Sequence, residues 1–207
     1  MPPKVKFQKE EIVAAAMSVT QEKGIDAVTA REVAARLGVS TRPIFTYFDT
    51  MDQLKDAVYD TAMDLYRSYV ERGLEEPVPF QGIWRNFLLF AREEPELFKL
   101  LFLNTSGKDP ENAIKALHES QELARKSLMH IYNMDAFTAD CYFRDLWVIA
   151  LGFATLVVTG GCPYTDEEML AIGTEISLSV CKAYKDIPGL PRGEFDRDAL
   201  FRKLVNR

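Results

Sequence analysis

The stretch TAREVAARLGVSTRPIFTYF, residues 29–48, predicts two short helices joined by a tight turn. Thr29 opens a capping box at the start of the first helix, and Gly38 supplies the turn. Ser40 is the predicted cap of the second helix. Pro43 is tolerated in its first turn, since that position has no intrahelical hydrogen bond to lose. The layout is that of a helix-turn-helix, whose second helix enters the major groove of DNA.

The second helix is rich in hydroxyl and aromatic side chains, which suit contacts to bases and phosphates. Arg42 is the predicted bidentate contact to guanine, and a threonine methyl can meet a thymine methyl. Tyr47 can hydrogen-bond a phosphate, and the free N–H groups at the two capped helix starts favour phosphate as well. The predicted DNA-binding residues are Lys4, Lys6, Thr29, Ser40, Thr41, Arg42, Pro43, Thr46 and Tyr47.

Charge is distributed unevenly along the chain, whose formal net charge is −6. Residues 1–50 contain seven Lys or Arg against six Asp or Glu, whereas residues 51–207 contain 18 against 25. Lys4, Lys6 and Lys9 form a basic arm ahead of the first acidic residue. The acidity therefore belongs to the larger C-terminal part, and the N-terminal part can approach phosphate.

Apolar residues recur at helical spacing along most of the chain, without a convincing alternating strand, so the predicted fold is all-α. A three-helix head with the helix-turn-helix, residues 1–50, precedes a larger helical body, residues 51–207. The predicted helices span about 8–23, 29–38, 40–48, 51–73, 80–94, 96–102, 110–132, 136–159, 166–185 and 196–205.

The sequence also disfavours several classes of protein. Two His and three scattered Cys lack zinc-type spacing, and neither a Gly-rich phosphate loop nor a nucleophile motif is present, so no enzyme, metal site or cofactor is expected. The longest apolar run, residues 146–158, is too short for a membrane span, and the first residues lack the apolar segment of a secretion signal. An odd number of cysteines without close pairs favours a reducing compartment, so a cytoplasmic location is expected.

Residues 8–54 resemble the DNA-binding domain of the TetR family of bacterial transcription regulators. The matching residues are Ile12, Ala16, Gly24, Thr29, Val33, Ala34, Gly38, Val39, Ser40, Ile44, Phe45, Phe48 and Leu54. The resemblance implies a homodimeric, all-helical protein whose C-terminal domain binds a small molecule and dimerises. Repression is the commoner mode in the family. Activation by the same fold, or a helical partner-binding adaptor without DNA, stay open as alternatives.

Three positions depart from the family pattern. Phe45 stands where many members carry Tyr, and Asp49 and Met51 stand where many carry Lys. Lost phosphate contacts lower DNA affinity and flatten its dependence on salt. The protein is therefore expected to rely on its basic arm and Tyr47, or to bind DNA more weakly.

Aromatic residues cluster in the C-terminal part at helical spacing, which is typical of a core; in a TetR-like body the same region forms the effector cavity. Gln121 interrupts an otherwise apolar stripe, and is either a satisfied core amide or a polar anchor for a ligand. The expected effector is a small hydrophobic or aromatic molecule. The predicted ligand-binding residues are Trp84, Phe87, Gln121, Tyr142 and Trp147.

The last two long helices, about 136–159 and 166–185, are the predicted subunit interface, because small and apolar residues recur along the second of them. Two-fold symmetry sets two recognition helices about 34–36 Å apart and predicts a palindromic operator. The fourth helix joins head and body, so an effector that prefers one state can change the spacing of the heads. The predicted interface residues are Ile172, Gly173, Ile176, Ser177 and Val180.

Overall fold

The computed structural model describes residues 7–103 and 112–205, and all regular structure within these ranges is helical, which confirms the all-α prediction. Lys4 and Lys6 lie outside the described residues. Short 3₁₀ turns occupy Ile25–Ala27 and Leu190–Arg192, and a π-helical segment occupies Lys99–Leu103. The helices are α1 (Lys9–Lys23), α2 (Ala30–Leu37), α3 (Ile44–Tyr47), α4 (Met51–Leu74), α5 (Pro79–Glu93), α6 (Pro95–Phe98), α7 (Asn112–Tyr132), α8 (Ala136–Val158), α9 (Asp166–Asp186) and α10 (Arg197–Val205).

Helices α1, α2 and α3 enclose the small core of the head. Ile12, Val33 and Ile44 are completely buried in it, and Phe48 closes it at 3% exposure. Gly38 ends α2 with φ 68° and ψ 31°, a left-handed conformation that a residue with a Cβ adopts only with strain. The turn therefore depends on glycine, as the sequence predicts.

Helix α3 is shorter than predicted, since it covers Ile44–Tyr47 and not about 40–48. The Ile44 N–H donates to the Thr41 carbonyl at 3.2 Å, and the Thr46 N–H donates to the Pro43 carbonyl at 3.2 Å. Both bonds span three residues, so the chain winds as a tight turn before a single turn of α-helix. Pro43 occupies the N-cap position without a side-chain hydrogen bond, so the predicted cap by Ser40 is wrong.

Helices α4 and α5 meet at two glycines. A Cβ on Gly82 would lie 2.1 Å from the carbonyl oxygen of Gly73, and a Cβ on Gly73 would lie 2.5 Å from the backbone nitrogen of Ile83. The buried amide of Asn86 donates to the Gly82 carbonyl at 2.9 Å and to Glu76 Oε1 at 3.0 Å. The two helices therefore touch backbone to backbone at this crossing.

Helices α7, α8 and α9 pack with α4 and α5 around the core of the body. Tyr66 and Tyr142 are its largest fully buried side chains, and each phenol is paired with a serine. Tyr66 lies 2.8 Å from Ser120 Oγ, and Tyr142 lies 2.6 Å from Ser177 Oγ. Burial raises the pKa of Tyr66 to about 12 and raises the pKa of Tyr142 as well, so both phenols keep their proton at neutral pH.

Side chains also join the head to the body. Gln21 of α1 donates from Nε2 to Glu94 Oε2 at 2.9 Å. The Glu96 carboxylate lies beside Gly24, at the end of α1, and accepts from Lys99 Nζ at 2.6 Å. Because Glu94 and Glu96 flank the start of α6, the position of α6 is tied to that of α1.

Helix α8 is, among the described helices, the one whose length and apolarity fit a membrane span; its most apolar window has mean hydropathy 1.6, with 39% of that window buried in the subunit. Its inner face contributes Leu146, Ala150 and Ala154 to the core. Its outer face leaves Val148 58% and Leu156 39% exposed. The helix is thus apolar on two faces, of which the subunit covers one.

Candidate DNA-binding surface and effector cavity

The predicted base-contacting side chains are exposed around α3. Thr41, Arg42 and Thr46 are open to solvent, and Pro43 is half-buried beneath them. The Thr46 hydroxyl donates to the Arg42 carbonyl at 3.2 Å, which braces the turn. Within the described part of the chain no ion pair engages the Arg42 guanidinium, so its fork of donors can meet a guanine edge.

Helix α2 presents a capped and exposed start. The Thr29 hydroxyl oxygen accepts from the Glu32 N–H at 3.2 Å, so this predicted cap is present. The reciprocal half of the capping box is missing, because the Glu32 carboxylate pairs with Lys23, which lowers its pKa. Free N–H groups in the first turn of α2 remain for a phosphate.

An arginine fork holds α2 against α1. Arg36 Nη1 donates to Glu22 Oε1 at 2.7 Å and to Ser18 Oγ at 2.6 Å, and Nη2 donates to the second oxygen of Glu22. The guanidinium holds the pKa of the Glu22 carboxyl below its usual range. The fork orients the helix that precedes the turn, and sequence analysis missed it because its partners lie on another helix.

Tyr47 contacts the backbone directly ahead of α1. Its ring is 37% exposed, and its hydroxyl donates to the carbonyl oxygen of Phe7 at 2.8 Å. Lys9 Nζ lies 5.3 Å from the centre of the Phe48 ring, so the start of α1 also contacts the end of the helix-turn-helix. The predicted phosphate contact of Tyr47 therefore requires its single phenolic proton to change partner.

Phe45 is a candidate DNA contact that is absent from the DNA-binding residues predicted from the sequence. Its ring is 50% exposed on α3, beside Thr46, where it can meet a thymine methyl or a sugar. Next to it, the Asp49 N–H donates to Gln53 Oε1 at 2.8 Å, and Thr50 Oγ1 accepts from the Gln53 N–H at 3.2 Å. The start of α4 is thus capped by side chains of its own first turn and the residues before it. Asp49 occupies the place where a lysine would attract phosphate.

A small cavity of about 20 Å³ lies in the aromatic core between α4, α5 and α8. Three predicted ligand-binding residues, Trp84, Phe87 and Trp147, come together in its wall. Phe102 of the π-helical segment stands against them, with ring centres 5.4 Å from Phe87 and 6.0 Å from Trp147. The complete lining is Tyr66, Phe80, Ile83, Trp84, Phe87, Phe143, Leu146, Trp147 and Ala150.

Two other predicted ligand-binding residues do not line this cavity. Gln121 donates from Nε2 to the Asp140 carbonyl at 3.0 Å, which ties α7 to α8, so in this structure its amide supports the helices around the cavity. Tyr142 lies behind Phe80, with ring centres 5.5 Å apart, and its hydroxyl is paired with Ser177 of α9. Both side chains brace the helices around the cavity.

A larger open cleft of about 530 Å³ lies between the head, α4 and α7. Its walls are mostly charged, and Arg67 is bonded there to Asp64 at 2.8 Å and to Glu119 at 2.7 Å. Among the described residues no group of three His, Cys, Asp or Glu side chains forms a metal site. Such walls do not match a hydrophobic effector. The acidic lining residues are Asp26, Asp52, Asp56, Asp60, Asp64 and Glu119.

Two predicted interface residues face the interior of the subunit. A Cβ on Gly173 would lie 2.6 Å from Trp84 Cε2, and Ser177 is 6% exposed and bonded to Tyr142. Because both residues are small, aromatic rings of the same subunit pack against them. The prediction that Gly173 and Ser177 lie at an interface between subunits is therefore corrected, since both face the interior of the subunit. The other three predicted interface residues, which are half-buried, are Ile172, Ile176 and Val180.

Two family models match the chain, in the order in which head and body follow each other. The model of the tetR family of bacterial regulatory proteins matches residues 12–58. The model of the tetracyclin repressor-like C-terminal domain matches residues 80–174. The first match contains the helix-turn-helix and the second contains most of the cavity wall. Together they cover more than half of the chain.

Solved structures share this fold. A protein of unknown function from Rhodococcus sp. RHA1 aligns with a TM-score of 0.67 and 20% identity, over 88% of this chain and 98% of that chain. A TetR-family transcriptional regulator from Streptomyces coelicolor aligns with a TM-score of 0.64 and 15% identity, over 95% of each chain. A TetR variant from Acinetobacter baumannii AYE, in complex with minocycline, aligns with a TM-score of 0.57 and 19% identity, over 87% of this chain and 98% of that chain.

At these identities the structural likeness establishes a common fold, and the two family matches identify the chain beyond the fold. Both matches fall on the elements that the geometry singles out, the exposed α3 segment and the aromatic body. The protein therefore belongs to the TetR family, whose members are transcriptional regulators and not enzymes.

Proposed function

We propose that the protein is a homodimeric, cytoplasmic repressor that leaves a palindromic operator when a small apolar or aromatic effector enters its body. The head, residues 1–50, binds DNA, and the body, residues 51–207, binds the effector and dimerises. The observation that carries this proposal is the position of Tyr66. It lies on α4, the helix that begins directly after the helix-turn-helix, and in the wall of the aromatic cavity. A molecule in the cavity thus touches the helix on which the head is mounted.

Exposed side chains around α3 support the DNA-binding part of the proposal. Thr41, Arg42 and Thr46 are open, and Phe45 adds an apolar surface for thymine. The exposed start of α2 at Thr29 offers N–H groups to a backbone phosphate. The sequence places the acidic excess in the body, so it does not oppose the approach of the head to DNA.

A continuous set of contacts supports coupling between cavity and head. Phe102, against the cavity wall, belongs to the π-helical segment that directly follows α6, and π-helical turns often accompany functional sites. At the other end of α6, Glu94 accepts from Gln21 of α1. An effector that displaces Phe102 moves α6, and α6 moves α1. The effector lowers DNA affinity only by as much as it prefers the displaced state.

The uncovered apolar faces of α8 and α9 support dimerisation through these helices. Val148, Gly152 and Leu156 follow one another at four-residue spacing on the outside of α8, and Leu178 is 64% exposed on α9. Two such faces from each subunit form a four-helix interface. The interface residues we propose are therefore on the outward faces, while Gly173 and Ser177 shape the interior.

Two alternatives use the same fold. An activator would carry the same head, and the position of the operator relative to the promoter separates it from a repressor. An adaptor without DNA is disfavoured by Arg42 and its exposed threonine neighbours, because no ion pair within residues 7–103 and 112–205 engages the guanidinium and a surface that only packs against protein has no need of such a fork. A similar fold holds minocycline in the Acinetobacter protein, which supports binding of a small molecule.

Selection of duplexes from random DNA by the purified protein tests the proposal. We expect an enriched palindrome whose half-sites are one helical turn apart, about 34–36 Å between centres. The same operator, placed over a promoter in a reporter strain, should lower transcription. Selection without any enriched sequence at low salt would refute DNA recognition, and enrichment with increased transcription would identify an activator.

The salt dependence of operator affinity should be shallow. Each phosphate neutralised by a cation contributes about −0.9 to the slope of log K against log salt, and this protein has Asp49 and Met51 where lysines are common in the family. We expect the double variant Asp49→Lys, Met51→Lys to bind more tightly at low salt and to steepen the slope by up to about 1.8 per subunit. Fluorescence anisotropy over a salt series measures this. An unchanged slope would mean that these positions do not face phosphate.

A further inference from the structure

The two tryptophans of this chain share one unusual feature. Trp84 is 4% exposed and Trp147 is 8% exposed, and both line the small cavity of the aromatic core. Within the described residues, their Nε1 atoms are the buried side-chain nitrogen or oxygen atoms that have no hydrogen-bond partner. The chain contains two tryptophans in all, so every indole N–H of the protein is in this situation.

Buried polar groups in proteins are almost always hydrogen-bonded, and this body otherwise follows that rule. Ser120 donates its one proton to the Ala116 carbonyl at 2.7 Å, so the bond of 2.8 Å between Tyr66 and Ser120 must be donated by Tyr66. Burial raises the pKa of the Tyr66 phenol, while its contacts with Ser120 and with the Trp147 N–H act in the opposite direction. The Trp147 N–H thus lies beside the Tyr66 hydroxyl oxygen without reaching the geometry of a full hydrogen bond, so a better placed acceptor in the cavity can compete for it.

An indole nitrogen donates and never accepts, so what these groups need is an acceptor. The remaining cavity lining is aromatic or aliphatic and uncharged. A carboxylate would satisfy the donors, but its charge would have no cation in the lining to compensate the loss of water. A carbonyl oxygen supplies acceptor lone pairs without a net charge. The aromatic rings in the cavity wall in turn favour a flat ligand.

We propose that the cavity is the site of a neutral, flat, apolar effector whose carbonyl oxygens accept hydrogen bonds from the Trp84 and Trp147 indoles. This inference deepens the proposed function and rests on it, because only that function makes the bound molecule an effector. Binding at the site can be measured without DNA. Quinones, aryl ketones and unsaturated lactones belong to this class. Apolar molecules without an acceptor, and carboxylates of the same shape, do not.

Entry of such a molecule enlarges the cavity. Its volume of about 20 Å³ accommodates roughly one water, whereas sites for small molecules usually measure about 300–1,000 Å³. Phe102 stands against both Phe87 and Trp147 and belongs to the π-helical segment, so its displacement opens the cavity toward α6. The bonds that hold the effector and the movement that releases the operator thus occur at the same rings.

Proton–nitrogen correlation spectra of the unliganded dimer test the proposal directly, because they contain two indole signals, one for each tryptophan. Three probes of matched shape are added in turn: methyl naphthyl ketone, isopropenylnaphthalene, in which CH₂ replaces the carbonyl oxygen, and naphthoate. We expect the ketone to shift both indole signals downfield and to bind about tenfold more tightly than the hydrocarbon for each hydrogen bond formed. Naphthoate should bind most weakly.

A matched protein separates the donors from the shape of the rings. Biosynthetic replacement of tryptophan by benzothienylalanine exchanges N–H for sulfur at Trp84 and Trp147 and nowhere else. The substituted protein should bind ketone and hydrocarbon equally. If it does not fold, Trp84→Phe and Trp147→Phe are made singly, and each should remove one signal and reduce the preference for the ketone.

The outcomes that overturn the inference are specific. Equal affinity for ketone and hydrocarbon, or indole signals that stay in place at saturation, would show that the donors serve no ligand. Cross-peaks from both indoles to a water that the ketone does not displace would assign them to a buried water instead. Ketone binding that is unaffected by operator DNA would leave the site in place and refute the coupling in the proposed function.

Discussion

Replacing Arg42 by alanine is expected to abolish specific operator binding while leaving the fold intact. The guanidinium is exposed, and no side chain of the described residues is bonded to it, so its removal breaks no hydrogen bond or ion pair among those residues. A bidentate arginine–guanine contact is worth about 1–3 kcal/mol, and the proposed dimer would make it twice. The loss therefore amounts to about 2–6 kcal/mol, or on the order of 30-fold to 10⁴-fold in affinity.

Operator titrations with Arg42→Ala, Arg42→Lys and Arg197→Ala distinguish the fork from charge alone. Arg197, at the exposed start of α10, is the matched control and should bind as the native protein does. Lysine retains the charge but not the planar fork, so Arg42→Lys should lose discrimination at one base of each half-site and keep the salt slope. A uniform loss over all sequences would mean that Arg42 contacts phosphate.

Replacing Gly82 by alanine is expected to destabilise the whole protein. In the middle of a helix this change ordinarily stabilises by about 0.5–1 kcal/mol. Here the added methyl would lie 2.1 Å from the Gly73 carbonyl oxygen, and backbone cannot rotate away as a side chain can. Overpacking costs about 1–3 kcal/mol or more, so the clash outweighs the gain in helix propensity.

Thermal unfolding of Gly82→Ala measures the balance. We expect a midpoint lower by roughly 2–4 °C for each kcal/mol lost. Gly161→Ala is the matched control, because a Cβ there would have Thr159 Oγ1 at 3.9 Å as its nearest neighbour, and it should change the midpoint little. A midpoint for Gly82→Ala at or above that of the native protein would show that α4 and α5 can separate at their crossing without cost.

Elements that local signals predict lie where the sequence places them. Caps and breakers act within a few residues, so the capping box at Thr165 and Glu168, the start of α4 at Met51 and the glycine turn at Gly38 all lie where expected. Aromatic spacing likewise identified Trp84, Phe87 and Trp147 as neighbours. Helical periodicity places Trp84 and Phe87 on one face of α5, and the packing of α5 against α8 adds Trp147 to the same cavity wall.

Positions that depend on a neighbouring helix differ from those predicted from the sequence. Helix α9 is apolar on two sides, and periodicity alone does not tell which side faces inward. Gly173 lies against the Trp84 ring, and Ser177 is bonded to Tyr142, so the side of α9 that carries these two small residues faces inward. Gln121 likewise donates to the backbone of α8, a partner that its own sequence neighbourhood does not reveal.

The sequence by itself thus determined the helical fold, the helix-turn-helix and the family, because capping, turn chemistry and amphipathic spacing are properties of short segments. Tertiary structure alone decided which faces remain open for a partner and that both indoles of the chain are buried without an acceptor. Burial and hydrogen-bond satisfaction depend on contacts with helices distant in sequence, and the residues next to a position along the chain do not reveal those contacts.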